Sequence, residues 1–373
     1  MKVVHMCSAH PKFDKRVHHK INLSLMKEHE VISVHPNENK EILNSKITID
    51  GFKVGKGKPA RIIGLVNLYK KTYEYKPDLI ICPEPDSLFA GIIYKLLNRK
   101  VKVVFDCHEW YELRDGNGFF KKTIGKFVGF VINRLVKLVD GVIVVNDTMN
   151  HRYKNYNQNT ITLINTLRKS EAHRNSDIDK LESVFIYSGN FVDKYQEKIL
   201  FEAAIKLKEL KSLANIIILG GYDNNEDYSR KKAMFDNKIM QNNLRDHIKI
   251  LPWMPRLEAN EIVSKAMGGI TRFDSYLYGD LHCLPNKVFD YISQGLMIVS
   301  CIKNKEITQI IDEFDCGVYT KNESAGELAT LLHEITKDAK TINNKIENAK
   351  NAFEIKYNWD NYEKNLLNYI KLL

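Results

Sequence analysis

Short apolar runs alternate with amphipathic segments along almost the whole chain, which is the pattern of α/β units built on parallel sheets. In the first half the strand-like runs are Lys2–Met6, Glu30–His35, Leu79–Pro83, Lys102–Asp106 and Gly141–Val145. Helical periodicity predicts helices between them over Lys15–Lys27, Ile62–Tyr75, Ser87–Leu97 and Phe119–Leu138. A polar stretch without periodicity, Arg168–Lys180, then reads as a linker. Strand-like runs resume at Val184–Tyr187, Asn215–Leu219, Ile248–Leu251, Gly269–Thr271 and Met297–Cys301. Two consecutive βα series predict two Rossmann-like, doubly wound domains, over residues 1–167 and 181–356, facing a central cleft. Ligands are expected beyond the C-terminal ends of the strands. The tail reads as helical, with Trp359, Tyr362, Leu366, Leu367 and Ile370 as its apolar stripe.

Composition narrows this picture. A chain of 373 residues is long enough for two cores, and 44% apolar with 27% charged residues is ordinary for a globular protein. The six cysteines, Cys7, Cys82, Cys107, Cys283, Cys301 and Cys316, stand singly with no C-x-x-C pair. That spacing argues against a zinc site or a disulfide framework and fits a reducing cytosol. No signal-peptide pattern opens the chain and no apolar run is long enough to span a bilayer, so a cytoplasmic location is expected. The net charge of +10 is unevenly placed: residues 1–170 hold 29 basic and 16 acidic residues, the remainder 27 and 30. The N-terminal half is therefore expected to face something anionic, such as a phospholipid surface or a phosphorylated acceptor, unless the lysines simply decorate a solvated face. Nucleic acid is disfavoured, because the basic residues spread over several helices and no recognition motif is present.

The segment richest in chemistry runs from His282 to Val299, His-Cys-Leu-Pro-Asn-Lys-Val-Phe-Asp-Tyr-Ile-Ser-Gln-Gly-Leu-Met-Ile-Val. Pro285 suits the first turn of a helix, and Gly295 suits a left-handed cap at its far end. The unpaired N–H groups that follow Pro285, which has none of its own, would then form an anion site fitted to a diphosphate, Asn286 and Lys287 supplying the donors. Asp290, about one turn further in, is placed to reach the vicinal hydroxyls of a ribose.

Residues 284–299 resemble the Leu-Pro-Asn-Lys-Leu-Phe-Glu-Tyr…Gly-Leu-Pro-Val-Ile run of glycosyltransferase family 4, retaining enzymes of the GT-B fold. The family's paired acids, Glu-x7-Glu, fall by spacing on His282 and Asp290. The resemblance makes Asp290 the ribose ligand and sets His282 where the family's first acid handles the donor sugar. Val104-Phe105-Asp106-Cys107-His108-Glu109 resembles the family's Tyr-Asp-x-His-Glu at the end of an N-domain strand. There His108 is expected to hydrogen-bond the transferring sugar, with Glu109 or Asp106 orienting it or meeting the acceptor hydroxyl. Asp14-Lys15-Arg16-Val17 resembles the family's Asp-x-Arg-Val opening of the first helix, which makes Asp14 an N-cap and leaves Arg16 open. Gly189-Asn190 stands where the family often has Gly-Arg, and Tyr195 where it has Lys. The cation for the leaving diphosphate must therefore come from Lys194, Lys198, Arg272 or Lys287. Gly220, with Gly221, suits a close backbone approach to a ligand.

The resemblance implies a hexosyltransferase-like transfer from a nucleoside-diphosphate sugar to a glycan or lipid-linked acceptor, in cell-surface polysaccharide or glycolipid assembly. It implies no cofactor and no metal; the one Asp-x-Asp, Asp177-Ile178-Asp179, lies in the linker. It also implies that a C-terminal helix near 357–373 returns to the N-terminal domain. The segment Phe119–Phe127 is aromatic, basic and apolar at once, a candidate for peripheral contact with an anionic membrane at its inner face. Two other classes stay open, a non-catalytic sugar-nucleotide-binding homologue and a GT-B nucleotide-sugar epimerase.

Overall fold

A computed structural model describes the chain except residues 56–59, 112–118, 173–182, 192–193, 223–226, 272–283 and 302–303, and the side chains of 119–122, 194–195 and 256–257. It divides into two compact units, Met1–Asn165 with Trp359–Leu373, and Thr166–Asn358.

The first unit is built on strands β1 (Lys2–Met6), β2 (Glu30–Pro36), β3 (Glu41–Asn44), β4 (Ile47–Phe52), β5 (Leu79–Cys82), β6 (Lys102–Cys107), β7 (Gly141–Val144) and β8 (Thr160–Thr162). They form one sheet in the order β3-β4-β2-β1-β5-β6-β7-β8. Only β3 runs antiparallel, against β4. Successive β1 residues face opposite sides: Val4 and Met6 join a core beneath the helices α2 (Ala60–Tyr75), α3 (Pro85–Leu97) and α4 (Phe119–Leu135). Val3 joins the core on the other face, where Ile21, Leu25, Trp359 and Leu366 pack.

The first helix differs from the expectation of a continuous helix over Lys15–Lys27. Val17–Asn22 is a π-helix, followed by a single α turn, α1 (Leu23–Leu25). Its wider winding lets Val17, His18, Lys20, Ile21 and Asn22 all face inward, a broader buried arc than an amphipathic α-helix offers. Strands β3, β4, β8 and, in the second unit, β14 have no counterpart in the apolar runs. All but β4 are short edge strands, and β3 lies exposed. Between β7 and β8 lies α5 (Asp147–Lys154), capped by the Asn146 side chain accepting from Met149 N–H.

The second unit repeats the plan with β9 (Val184–Asn190), β10 (Asn215–Gly221), β11 (Ile248–Leu251), β12 (Gly268–Thr271), β13 (Met297–Ser300) and β14 (Gly317–Tyr319). All pairings are parallel, in the order β11-β10-β9-β12-β13-β14. Its helices are α6 (Lys194–Glu209), α7 (Tyr228–Gln241), α8 (Arg256–Lys265), α9 (Asn286–Ser293), α10 (Lys305–Phe314), α11 (Ala325–Ile335) and α12 (Ala339–Ile355). The final helix, α13 (Trp359–Leu372), belongs to the first unit, where the Trp359 indole donates to Ser24 Oγ at 2.9 Å. Among the described residues no helix is long and apolar enough to cross a membrane.

Candidate active site

Each unit gathers its chemistry at the C-terminal ends of its parallel strands. In the second unit, β9 and β10 end in paired glycines, Gly189 beside Gly220, both at positive φ (117° and 96°) that a side chain would strain. A Cβ on Gly220 would meet the Trp253 ring at 3.3 Å. The Trp253 indole N–H is shared between Asn190 Oδ1 and the Tyr222 carbonyl, each at 3.0 Å. Asn190 thus presents no cation; its side-chain oxygen is taken up in holding Trp253 over the glycines.

Helix α9 starts one residue later than the proline rule suggests. Pro285 is its N-cap, with φ −70° and ψ 136°, and Gly295 past its end takes the left-handed conformation, φ 67°. The helix is fixed from below by Tyr291, whose hydroxyl accepts from Ser188 N–H at 2.9 Å and donates to the Ile270 carbonyl at 3.2 Å. The Tyr291 ring lies where a Cβ on Gly269 would stand, so β12 can pass only as glycine. This clamp sets the first turn of α9 against the end of β9. There the Lys287 ammonium lies 3.9 Å over the Tyr187 ring, and a Cβ on Gly189 would be 3.8 Å from it. Burial pulls the Lys287 pKa down to about 8, with the nearby Asp290 carboxylate opposing the shift. Asp290 itself is exposed, and Asn286 is exposed at the first helical position. A helix N-terminus, a desolvated cation and the bare backbone of Gly189 thus converge on one spot, an arrangement suited to a polyphosphate.

The other residues predicted for this site fare differently. Lys194 is in α6, but its side chain lies outside the described residues, as do Arg272, His282 and the linker aspartates. Lys198 is exposed and pairs with Glu202 at 3.6 Å. Trp253 escaped the sequence reading, although a tryptophan directly after Pro252 at the end of an expected strand was a usable signal.

In the first unit the strand ends carry a buried polar network. Asp106, fully buried on β6, receives Arg16 Nη2 on Oδ1 at 2.7 Å and Nε on Oδ2 at 3.0 Å, while His108 Nε2 also donates to Oδ2 at 2.7 Å. Arg16 Nη1 also donates to the Leu163 carbonyl and Asn165 Oδ1. Burial alone would raise the Asp106 pKa, but Arg16 and His108 outweigh it and hold the carboxyl well below its usual range. Asp106 is therefore a positioning group behind His108, whose partly exposed ring it orients. Glu109, just beyond, is exposed. Asp14 caps the helix start, its Oδ1 accepting from the N–H groups of Arg16 and Val17 at 2.8 Å each.

Two further residues join this site unannounced by any motif. The loop after β1 turns three consecutive N–H groups, of Ser8, Ala9 and His10, onto the Glu84 carboxylate, each at 3.0 Å. The same carboxylate belongs to the capping box of α3 with Ser87. The His10 ring lies 5.1 Å from the His108 ring and within 3.5 Å of Asp14 and 3.8 Å of Glu84. Burial opposes a charge on His10, but Asp14 and Glu84 prevail and raise its pKa.

Hydrogen-bond direction can be read behind His10. The His10 carbonyl can only accept, so His35 Nδ1 donates to it at 2.8 Å, and in the neutral ring His35 Nε2 accepts from Ser33 Oγ at 2.7 Å. Ser33 Oγ in turn accepts from Asn22 Nδ2 at 3.1 Å, and Asn22 Oδ1 accepts from His5 Nδ1 at 2.8 Å. The chain agrees with neutral His35 and neutral His5, and burial lowers both pKa values, that of His5 to about 4. Among the described residues no group of three His, Cys, Asp or Glu is arranged to hold a metal ion.

The chain is similar to known proteins in family and in fold. The family model for Glycosyltransferase Family 4 matches residues 23–166, and that for Glycosyl transferases group 1 matches residues 168–352. HepE from Anabaena, solved with UDP and glucose, is similar over 100% of both chains at 13% identity and a TM-score of 0.72. Sucrose-phosphate synthase from Thermosynechococcus elongatus is similar over 100% of this chain and 98% of its own, at 11% identity and a TM-score of 0.70. WaaG, a glycosyltransferase involved in lipopolysaccharide biosynthesis, is similar over 98% of both chains at 12% identity and a TM-score of 0.65. No curated protein sequence matches the chain. With both units covered by family models and a fold shared with these structures, the chain belongs to the GT-B glycosyltransferases of family 4.

Proposed function

We propose that this glycosyltransferase is a retaining enzyme that moves a sugar from a uridine-diphosphate donor to a glycan or lipid-linked acceptor in cell-surface polysaccharide or glycolipid assembly. The observation that carries the reading is the meeting of the α9 N-terminus, the Lys287 ammonium and Gly189 at the end of β9. Those groups supply what a departing diphosphate needs, namely N–H donors, one close cation and room for oxygens against bare backbone. HepE, of the same fold, holds UDP, which supports uridine as the base.

In this reading Asp290 takes the ribose hydroxyls and Lys287 replaces the Arg and Lys that the family carries near Asn190 and Tyr195. The bond from the anomeric carbon to the β-phosphate oxygen breaks on the same face on which the acceptor oxygen arrives. The acceptor proton passes to the leaving phosphate, so no flanking pair of carboxylates is required. His108, oriented by Asp106, hydrogen-bonds the sugar in transit, and Glu109 meets the acceptor. No metal takes part. The enzyme works in the cytoplasm at the inner face of the membrane, where Ile124, Lys126 and Phe127 are exposed on α4.

Thermal shift against UDP-, GDP-, ADP-, CMP- and dTDP-sugars tests the reading, repeated in EDTA and with Asp290→Ala. Selective stabilisation by a UDP-sugar, kept in EDTA and lost in the variant, supports it. Binding of no sugar nucleotide, or binding that EDTA abolishes, removes it.

A further inference from the structure

Helices α2, α3 and α4 lie side by side over one face of the first unit's sheet, sharing one core through Leu68, Leu88, Ile92 and Ile132. Their outer faces should be polar, and they are not. On α2 the outward stripe is Ile62, Val66, Lys70 and Tyr73, spaced by four, four and three residues. On α3 and the turn after it, the stripe is Phe89, Ile93, Leu96, Leu97 and Lys100, with Leu96 67% and Leu97 70% exposed. Helix α4 continues the surface with Ile124, Phe127 and Phe130. Such a set exceeds the scattered apolar residues of an ordinary surface and marks a contact face.

The cations on this face identify the partner. Lys70, Arg99, Lys100 and Lys126 are exposed and have no carboxylate partner among the described residues. The remaining acids, Glu74 and Asp86, are already paired, with Lys71 and Arg61. Between α2 and the end of α3 opens a cavity of about 490 Å³ lined by Tyr69, Lys70, Tyr73, Leu97 and Asn98. Two copies of this chain meeting face to face would set like charges against each other. A protein interface core also tends to exclude lysine. Apolar side chains interspersed with long cationic ones that can lift their charges to the headgroups are instead the composition of a membrane-surface helix.

We propose that the outer face of α2 and α3, flanked by α4, docks this protein on an anionic lipid bilayer, with the Tyr69–Tyr73–Leu97 cavity receiving part of a lipid. This rests on the membrane location proposed above and extends the contact from α4 to the outer faces of α2 and α3. It needs no assumption about the donor.

Co-sedimentation with vesicles of phosphatidylcholine, with and without phosphatidylglycerol, tests it at low and high salt. The parent protein is expected to bind the anionic vesicles and be released by salt. Leu96→Glu/Leu97→Glu and Lys70→Glu/Lys100→Glu should each weaken that binding by about tenfold or more. These positions are exposed, so both variants should keep the parental melting temperature and the parental response to UDP-sugars, which separates this proposal from the donor reading. Equal binding to both vesicle types, or undiminished binding by both variants, overturns it. So does a concentration-dependent dimer, seen by light scattering, that the same variants dissolve.

Discussion

Arg16 and Asp106, ninety residues apart in sequence, form a buried two-point ion pair, and His108 donates to the same carboxylate. The pair ties the loop before the first helix to the end of β6 and makes the strand-end histidine a held group. Arg16→Met would leave the buried Asp106 charge without its guanidinium and with His108 alone, at a cost of about 3–5 kcal/mol in urea unfolding. Arg16→Met with Asp106→Leu should recover part of that loss. The Asp106 carboxyl is held below its ordinary 3.8, so its contribution is complete above about pH 4 and fades as pH falls further.

The His5–Asn22–Ser33–His35 chain predicts acid lability at milder pH. His5 has its pKa lowered from 6.5 to about 4, so its contribution is complete above pH 6.5. As pH falls toward 4 the unfolded chain takes up a proton that the folded chain refuses, which costs about 3 kcal/mol at the lower end. The urea midpoint should drop over this window, and His5→Gln should flatten the drop while lowering the midpoint at neutral pH.

Lys287 links donor binding to pH in the opposite direction. Its charge is lost as pH rises through about 8, so affinity for a nucleoside diphosphate, measured by calorimetry, should fall above that pH. Lys287→Arg should hold its affinity across the same range, because guanidinium does not titrate there. Lys287→Met should bind about tenfold more weakly at neutral pH, through loss of a charge-assisted contact. A flat pH profile in the parent, with Lys287→Met unimpaired, would remove Lys287 from the site.

The glycines give a contrast inside one unit. Gly220→Ala places a side chain at φ 96° and 3.3 Å from the Trp253 ring, and should cost about 1–3 kcal/mol of stability along with donor affinity. Gly326→Ala, in α11 with nothing within 4 Å of the new Cβ, should stabilise by about 0.5–1 kcal/mol. Thermal melts of the two variants moving in the same direction would contradict both assignments.

Trp253 offers a reporter. It is 47% exposed beside Gly220, whereas Trp359 is fully buried in the first unit, and the third tryptophan, Trp110 next to Glu109, is replaced by Phe in the background used. Addition of a UDP-sugar should change the Trp253 emission, and Trp253→Phe should abolish the change and free Asn190 from its hydrogen bond. An unaltered response in the variant would place the nucleotide away from β10.

Most of the central strands and the ends of α9 were legible in the sequence, because those signals act over a few residues. A run of Val and Ile marks a buried parallel strand, and Pro285 and Gly295 mark a helix start and stop by their own backbone limits. Strands β3 and β8 were not legible: at a sheet edge, pairing with one neighbour forms a strand without an apolar run to announce it.

For the candidate site, the sequence by itself determined which residue types stand at the ends of β6, β9 and α9, and it singled out His108, Lys287 and Asp290 by their order along the chain. Only the tertiary structure decided what each could do. Asp106 and Glu109 read alike in sequence, but one is buried against Arg16 and the other is exposed. His10 and Glu84 belong to no motif and meet only because the β1 loop folds its amides onto the start of α3. Backbone preferences are written locally, whereas the desolvation and charge neighbours that set a side chain's chemistry arise from segments tens of residues apart.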